Sequence, residues 1–494
     1  MSSCAPILPS GKPGVRLVIE ARRAQLSFGD GLIAEEIADL WEDWMRPADQ
    51  VLDDDHLLST VYEALAKRRP KSRTRGRLGT PAEVVLRLLL LKHIRNWSYE
   101  VLEREVRANL VYRSFTRVGS GKVPDDTVMN KWALALGPET IENIHKRVVA
   151  IAQEKKVVEG RKLRVDTTVV ETNIHYPTDS SLLGDGVRVL TRAMKRIAAI
   201  AGDAGAKLRD RSRSVKYRIL EIGRAARSKG GAGKEKLQQG YRRLLMAVSR
   251  VVGQAKRFSR EIETGVKASR DVFQQAALQG LRKELDTMAP RVRQVMQQAR
   301  ARIFGGDTHV ENKLVSIFEP GTEVIRKGKA SKPTEFGKMV KIQEAENQVI
   351  TSYEVYEKRP YDSALLIPAI ESHQEQLGCV PRLVAGDAAF YSSSNEKTAH
   401  EMGVKRVCVP NRSTKSAERK REQKKRWFRA GQKWRTGCEG RISVVKRRHG
   451  LNRCRDKGTR GMQRWVGLGV IGDNLINIGR VLASRAKPIT QAAD

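Results

Sequence analysis

The stretch Lys162–Val170, KLRVDTTVV, decides how the rest of the chain is read. It is rich in β-branched residues and alternates, so it predicts a strand. Leu163, Val165, Thr167 and Val169 share one face of that strand, and Arg164, Asp166 and Thr168 share the other. Asp166 is the first candidate functional residue. A lone Asp on a strand is more often a solvated residue of a polar face, so its weight depends on what surrounds the strand.

Upstream the texture is helical. Ile33, Ile37, Leu40, Trp41 and Trp44 recur at helical spacing, and a second helix is expected over 54–67. Thr80-Pro81-Ala82-Glu83 combines a cap, a proline at N1 and a glutamate at N3, and opens a strongly apolar helix over 81–95. Further helices follow over 98–109, 127–136 and 139–154. Residues 1–30 read as an extended segment and 31–157 as an all-helical DNA-binding or oligomerisation domain. Within it, 67–77 is a basic loop or a strip facing phosphate. No base-reading helix is identifiable.

Downstream, Pro177, Gly184 and Gly186 predict a loop, and 187–302 a long helical insertion with a turn at Ser228–Gly233. That insertion carries 29 Lys and Arg against 9 Asp and Glu, a net +20, which favours contact with DNA over a merely solvated surface. Strands are expected at 313–318, 323–327, 339–344 and 349–356, a helix at 362–377, and a short strand at 382–385 with Gly386-Asp387 at its carboxyl end. Another strand is expected near 404–409, then a basic run over 415–435 and closing helices over 435–449 and 465–484. Residues 158–186 and 303–485 thus form one α/β domain around the insertion, with a tail at 486–494.

Composition narrows the class. The chain has 494 residues with 93 Lys and Arg against 56 Asp and Glu, a formal charge of +37. Such a surface attracts polyanions, nucleic acid first. The greasy stretch Val84–Leu91 is well below the roughly 20 apolar residues of a membrane span. No secretory signal is visible. Five cysteines, odd in number and unclustered, suit a reducing cytosol. Cys438, His449 and Cys454 lack the paired spacing of a zinc site.

Strand, strand, strand, helix, strand is the plan of an RNase H-like α/β domain with a mixed five-stranded sheet. That plan puts one carboxylate midway along the first strand, a second after the fourth and a third on a later helix: here Asp166, Asp387 and Glu439. Two hard divalent ions about 3.5–4 Å apart, held by carboxylates, activate an attacking oxygen and stabilise a leaving one. Each acid alone is weak; the three in order are stronger. Asp179, Asp185, Asp307 and Asp362 compete, but their loop or helix-start positions fit capping better.

The segments RVDTTVVETNIHYPTDSSLL (164–183), VAGDAAFYS (384–392) and WRTGCEGRISVVKRRHGL (434–451) resemble the catalytic segments of bacterial insertion-sequence transposases of the DDE superfamily, ISNCY type. LRLLLLKHIRNWSYEVLEREVRANLVYRSF (86–115), PDDTVMNKW (124–132) and SIFEPGTEVIRKGKASKPTEFGK (316–338) extend the resemblance over about residues 50–480. Related sequences carry the pattern Y-x2-R-x3-E-x6-K; Arg435, Glu439 and Lys446 match it on one helical face, and Gln432 departs from it at the tyrosine. The resemblance implies binding of terminal inverted repeats and target DNA by a homodimer or higher assembly in the cytoplasm, associated with the nucleoid and not with a membrane. It implies two Mg²⁺ ions, replaceable by Mn²⁺, held by Asp166, Asp387 and Glu439. Arg435, Lys446, Arg441 and Lys329 are the expected cationic DNA contacts. Trp427 and Trp434 either stack on an unpaired base or pack in the core. The activity so implied is strand cleavage and 3′-OH strand transfer; a nuclease of the same fold and a catalytically silent DNA-binding derivative are the alternatives.

Overall fold

The computed structural model describes residues 20–23, 31, 35–68, 79–202, 204–228, 230–326 and 334–486. Most of the expected extended segment 1–30, most of the basic strip 67–77, Lys329 and the tail from 487 lie outside the described residues. The chain divides into two compact units, Met1–Asn173 with Gly337–Asp494, and Ile174–Phe336.

The first unit begins with helices α1 (Met45–Leu52), α2 (Asp55–Arg68), α3 (Ala82–Ile94), α4 (Tyr99–Ala108), α5 (Leu110–Phe115), α6 (Asp126–Ala135) and α7 (Pro138–Glu154). Local chemistry sets several starts. The side chains of Ser98, Asn109 and Asp125 each accept the N–H that opens α4, α5 and α6, and Pro138 occupies the first turn of α7. In α3 even Arg87 is buried; Asp49 and Asp53 bind its guanidinium at 2.5 and 2.6 Å. These helices share one apolar core with the final helix, α16 (Gly458–Ala486). By length and composition α16 is apolar enough to cross a membrane, but 72% of that window is buried inside the protein. It is the central core helix of this unit, and it is a longer apolar stretch than Val84–Leu91.

The sheet is mixed. β1 (Lys162–Thr172) runs antiparallel to β3 (Thr334–Glu344), from Arg164↔Glu344 to Glu171↔Gly337. On its other side β1 runs parallel to β5 (Leu383–Ala385), which in turn runs parallel to β6 (Arg406–Cys408). β4 (Ile350–Val355) is antiparallel to β3, and the two-residue β7 (Arg453–Cys454) pairs in parallel with the end of β1 at Glu171 and Thr172. A short β2 (Glu323–Arg326) neighbours β3, so the sheet has seven strands where five were expected. Helices α12 (Leu366–Leu377), α13 (Ser393–Glu401), α14 (Ala417–Lys424) and α15 (Arg426–Arg448) complete the unit.

The second unit is helical: α8 (Asp179–Ala201), α9 (Ser212–Ala225), α10 (Gly231–Glu263) and α11 (Val272–Phe304) enclose a core of Leu190, Leu244, Val248, Phe258 and Leu285 among others. The predicted loop at 177–186 is instead the first turns of α8. Thr178 and Ser181 form a capping box, and Gly184 and Gly186 are where Ile219 and Val292 pack too closely for a Cβ. The strand expected at 313–318 is irregular. Leu314 and Ile317 enter the helical core, and the Ser316 hydroxyl accepts the N–H groups of Phe318 and Glu319 in place of a ladder. The basic run 415–435 is helical, as α14 and the first turns of α15, which begins at Arg426 rather than 435.

Candidate active site

Helix α15 lies across the sheet over β1 and β6. Gly431 and Gly437 permit this approach: a Cβ at the first would run into Cys408 Sγ, and one at the second into the Arg164 guanidinium. The buried Arg164 holds the two elements together. It donates to the Trp434 carbonyl and to the Glu344 carboxylate, and its guanidinium lies 4.9 Å from the Trp434 ring centroid. Burial pushes the Glu344 carboxyl up, against the pull of Arg164. Cys438, one turn after Trp434, is fully buried; burial, then Glu344 and Asp166, push its thiol well above the ordinary value.

Asp166 sits midway along β1 on the face that carries Arg164, and its Oδ1 accepts the N–H of Thr167 at 2.7 Å. Arg435 joins it to α15: Nη1 is 3.8 Å from Asp166 Oδ2, and Nη2 donates to Glu439 Oε1 at 2.8 Å. Two of the three expected acids, from two different elements, therefore face one guanidinium. Asp387 follows β5 and caps a single 3-10 turn, accepting the Ala389 N–H at 2.9 Å. The β1–β5 register pairs Arg164 with Ala385, an offset of 221 positions. β5 ends at Ala385, so Asp387 lies two residues past the carboxyl end of the strand that pairs with β1. In this conformation no group of three or more His, Cys, Asp or Glu among the described residues is close enough to hold a metal ion.

Gln432, at the departure from the tyrosine pattern, donates its amide to the Gly386 carbonyl at 3.3 Å and to the Cys408 carbonyl. It ties α15 to the carboxyl ends of β5 and β6, immediately before Asp387. Asp362, a competing acid that the sequence assigned to capping, accepts the Thr167 hydroxyl at 2.9 Å from a 3-10 turn before α12, with Arg359 3.9 Å away. Nothing in the local sequence marks that pairing, because the partners are 195 positions apart.

The remaining expected contacts divide. Lys446 is half-buried two turns beyond Glu439, on α15. Trp434 is packed on Arg164, and Trp427 packs edge-on against Phe428 with Arg406 over its ring at 5.6 Å. Arg441 is a correction: it is buried and bound to Asp473 at 2.7 Å and to Gln348, so this side chain serves the core rather than the DNA-facing surface. Lys329 lies outside the described residues. In the basic run, Arg419 is likewise internal, held by Glu396, Glu422 and the Val409 carbonyl.

Two family models match the chain. One described as Transposase domain (DUF772) matches residues 36–133, the helical stretch through most of α6. One described as Transposase DDE domain matches residues 394–479, which includes Arg435, Glu439 and Lys446 and leaves Asp166 and Asp387 outside. No curated protein and no solved structure matches the chain. Together these two partial matches support an insertion-sequence DDE transposase.

Proposed function

We propose that this transposase binds the terminal inverted repeats of its element, cleaves a phosphodiester at the transposon end and joins the freed 3′-OH to target DNA. Asp166, Asp387 and Glu439 are the proposed metal ligands. The observation that carries this reading is the convergence of Asp166 and Glu439 on Arg435, with Asp387 just past the carboxyl end of β5, the strand that pairs with β1. The order β4-β3-β1-β5-β6, with antiparallel pairing up to β1 and parallel pairing beyond it, supports an RNase H-like catalytic core.

The donor set fits a hard divalent cation. All three side chains offer carboxylate oxygens, one cationic group already lies between two of them, and the nearby Cys438 thiol is held protonated by burial. When bound, Mg²⁺ or Mn²⁺ supplies activation of the attacking oxygen and stabilisation of the leaving one. The chain's own part would be to fix the acids: Asp166 on β1, Asp387 just past the end of the neighbouring β5, and Glu439 on α15. Arg435 and Lys446 hold the DNA backbone at the scissile phosphate. Water displaces the 3′ oxygen from the phosphodiester in line, and the resulting 3′-OH later displaces a 3′ oxygen of target DNA in the same way. Two or more copies bring the element's ends together.

The test is a cleavage and joining assay on short duplexes carrying the element's terminal repeats, in Mg²⁺ or Mn²⁺. Joined product is expected from the wild type, with cleavage and joining both lost in Asp166→Asn, Asp387→Asn and Glu439→Gln. Cleavage without any joined product would reduce the protein to a nuclease; full activity in Asp387→Asn would remove that residue from the site.

A further inference from the structure

Arg435 carries more than the DNA contact assigned to it. Its guanidinium faces both Asp166 and Glu439, and each of its connections is easily undone. The Asp166 contact, at 3.8 Å, is longer than a hydrogen bond. The Glu439 bond is short at 2.8 Å, but that carboxylate is 57% exposed, and a solvent-exposed pair contributes little. Arg435 Nε is buried and has no hydrogen-bond partner. A guanidinium that is 15% exposed, satisfied on one side only, is poised to exchange partners rather than locked in place.

We infer that Arg435 is an exchangeable counter-ion of the carboxylate pair: it neutralises Asp166 and Glu439 while DNA is absent and moves to a backbone phosphate when the transposon end arrives. The cation that weakens metal binding in free protein then becomes a phosphate ligand in the complex. Binding of a divalent ion and of DNA are coupled through this one side chain, and such coupling is reciprocal. Free protein is thereby kept from assembling a charged metal centre with no substrate in it. The inference rests on the proposed metal-carboxylate site and adds a regulation to it.

The test measures Mn²⁺ binding to the full-length protein by electron paramagnetic resonance, without DNA and with an uncleavable end duplex. Wild type is expected to bind Mn²⁺ roughly tenfold more tightly once the duplex is present. Arg435→Gln is expected to bind Mn²⁺ more tightly than wild type without DNA and to lose most of the gain on adding it. Arg435→Lys, which keeps the charge, should behave between the two. If Asp166→Asn and Glu439→Gln leave Mn²⁺ binding unchanged, the metal site itself is wrong. If those two abolish binding while wild type shows no DNA-dependent gain, or Arg435→Gln binds no more tightly than wild type, the metal site stands and the counter-ion role falls. The wild-type measurement decides the matter even where Arg435→Gln does not fold.

Discussion

Gln432 stands where related sequences carry tyrosine, and its amide does something a phenol at that place would have to do differently. It reaches the carbonyls of Gly386 and Cys408, so the loop bearing Asp387 is fastened to the helix bearing Glu439. Gln432→Leu keeps the bulk and removes the donor, taking one partner from the Gly386 carbonyl and leaving the Cys408 carbonyl with the Gly386 N–H at 3.4 Å. Because small misplacements of a reacting group are costly, strand cleavage is expected to fall roughly 10- to 100-fold. Binding of end duplex, measured by mobility shift, should be unchanged. Cleavage at the wild-type rate would show that the Asp387 loop is held without Gln432. The same residue illustrates a limit of pattern reading: the motif marked position 432 as a departure, and only the fold shows the two carbonyls that the new side chain serves.

At the scale of elements, what was legible depended on whether the signal was local. β1 was readable because its period of two residues is carried by its own side chains, and the Arg435–Glu439 face of α15 because three and four residues make a helical turn. The start of α15 was misplaced because Gly431 is a poor helix former in isolation; what keeps it is its close fit against Cys408. Gly184 and Gly186 misled in the same way in α8. Arg441, a DNA contact expected from the resemblance, lies two residues from Glu439 and so points about 200° around the helix, toward Asp473. The separation of 221 positions between the first two acids was a bare count in the sequence; in the fold the two lie on β1 and just past the end of β5, which pair in parallel.

At the scale of the whole molecule, the count of 93 Lys and Arg overstates the cations free to meet DNA. Arg87, Arg147, Arg419 and Arg441 spend theirs on Asp49, Asp54, Glu396 and Asp473 within the first unit. The interior also sets an acid limit. Burial lowers His145 to about 4 from 6.5, and holds His93 and His373 below the ordinary value. The His145 ring stays neutral in the fold down to about pH 4 and takes up a proton on unfolding, so between pH 6.5 and 4 the unfolded chain binds more protons and stability falls as pH drops. His145 alone contributes up to roughly 3 kcal/mol of that loss. Melting temperatures taken across this window should fall steadily and fall less steeply in His145→Gln, whose amide can still donate to Ile350; an unchanged slope would exclude His145 as a cause. The central claim is that Asp166, Asp387 and Glu439 share one metal centre, and Fe²⁺-directed backbone cleavage tests it most directly. With Fe²⁺, ascorbate and peroxide in the presence of end duplex, the account predicts cuts near 166, 387 and 439 together, all three lost in Asp387→Asn, whereas cuts confined to one segment, or persisting unchanged in that variant, would contradict it.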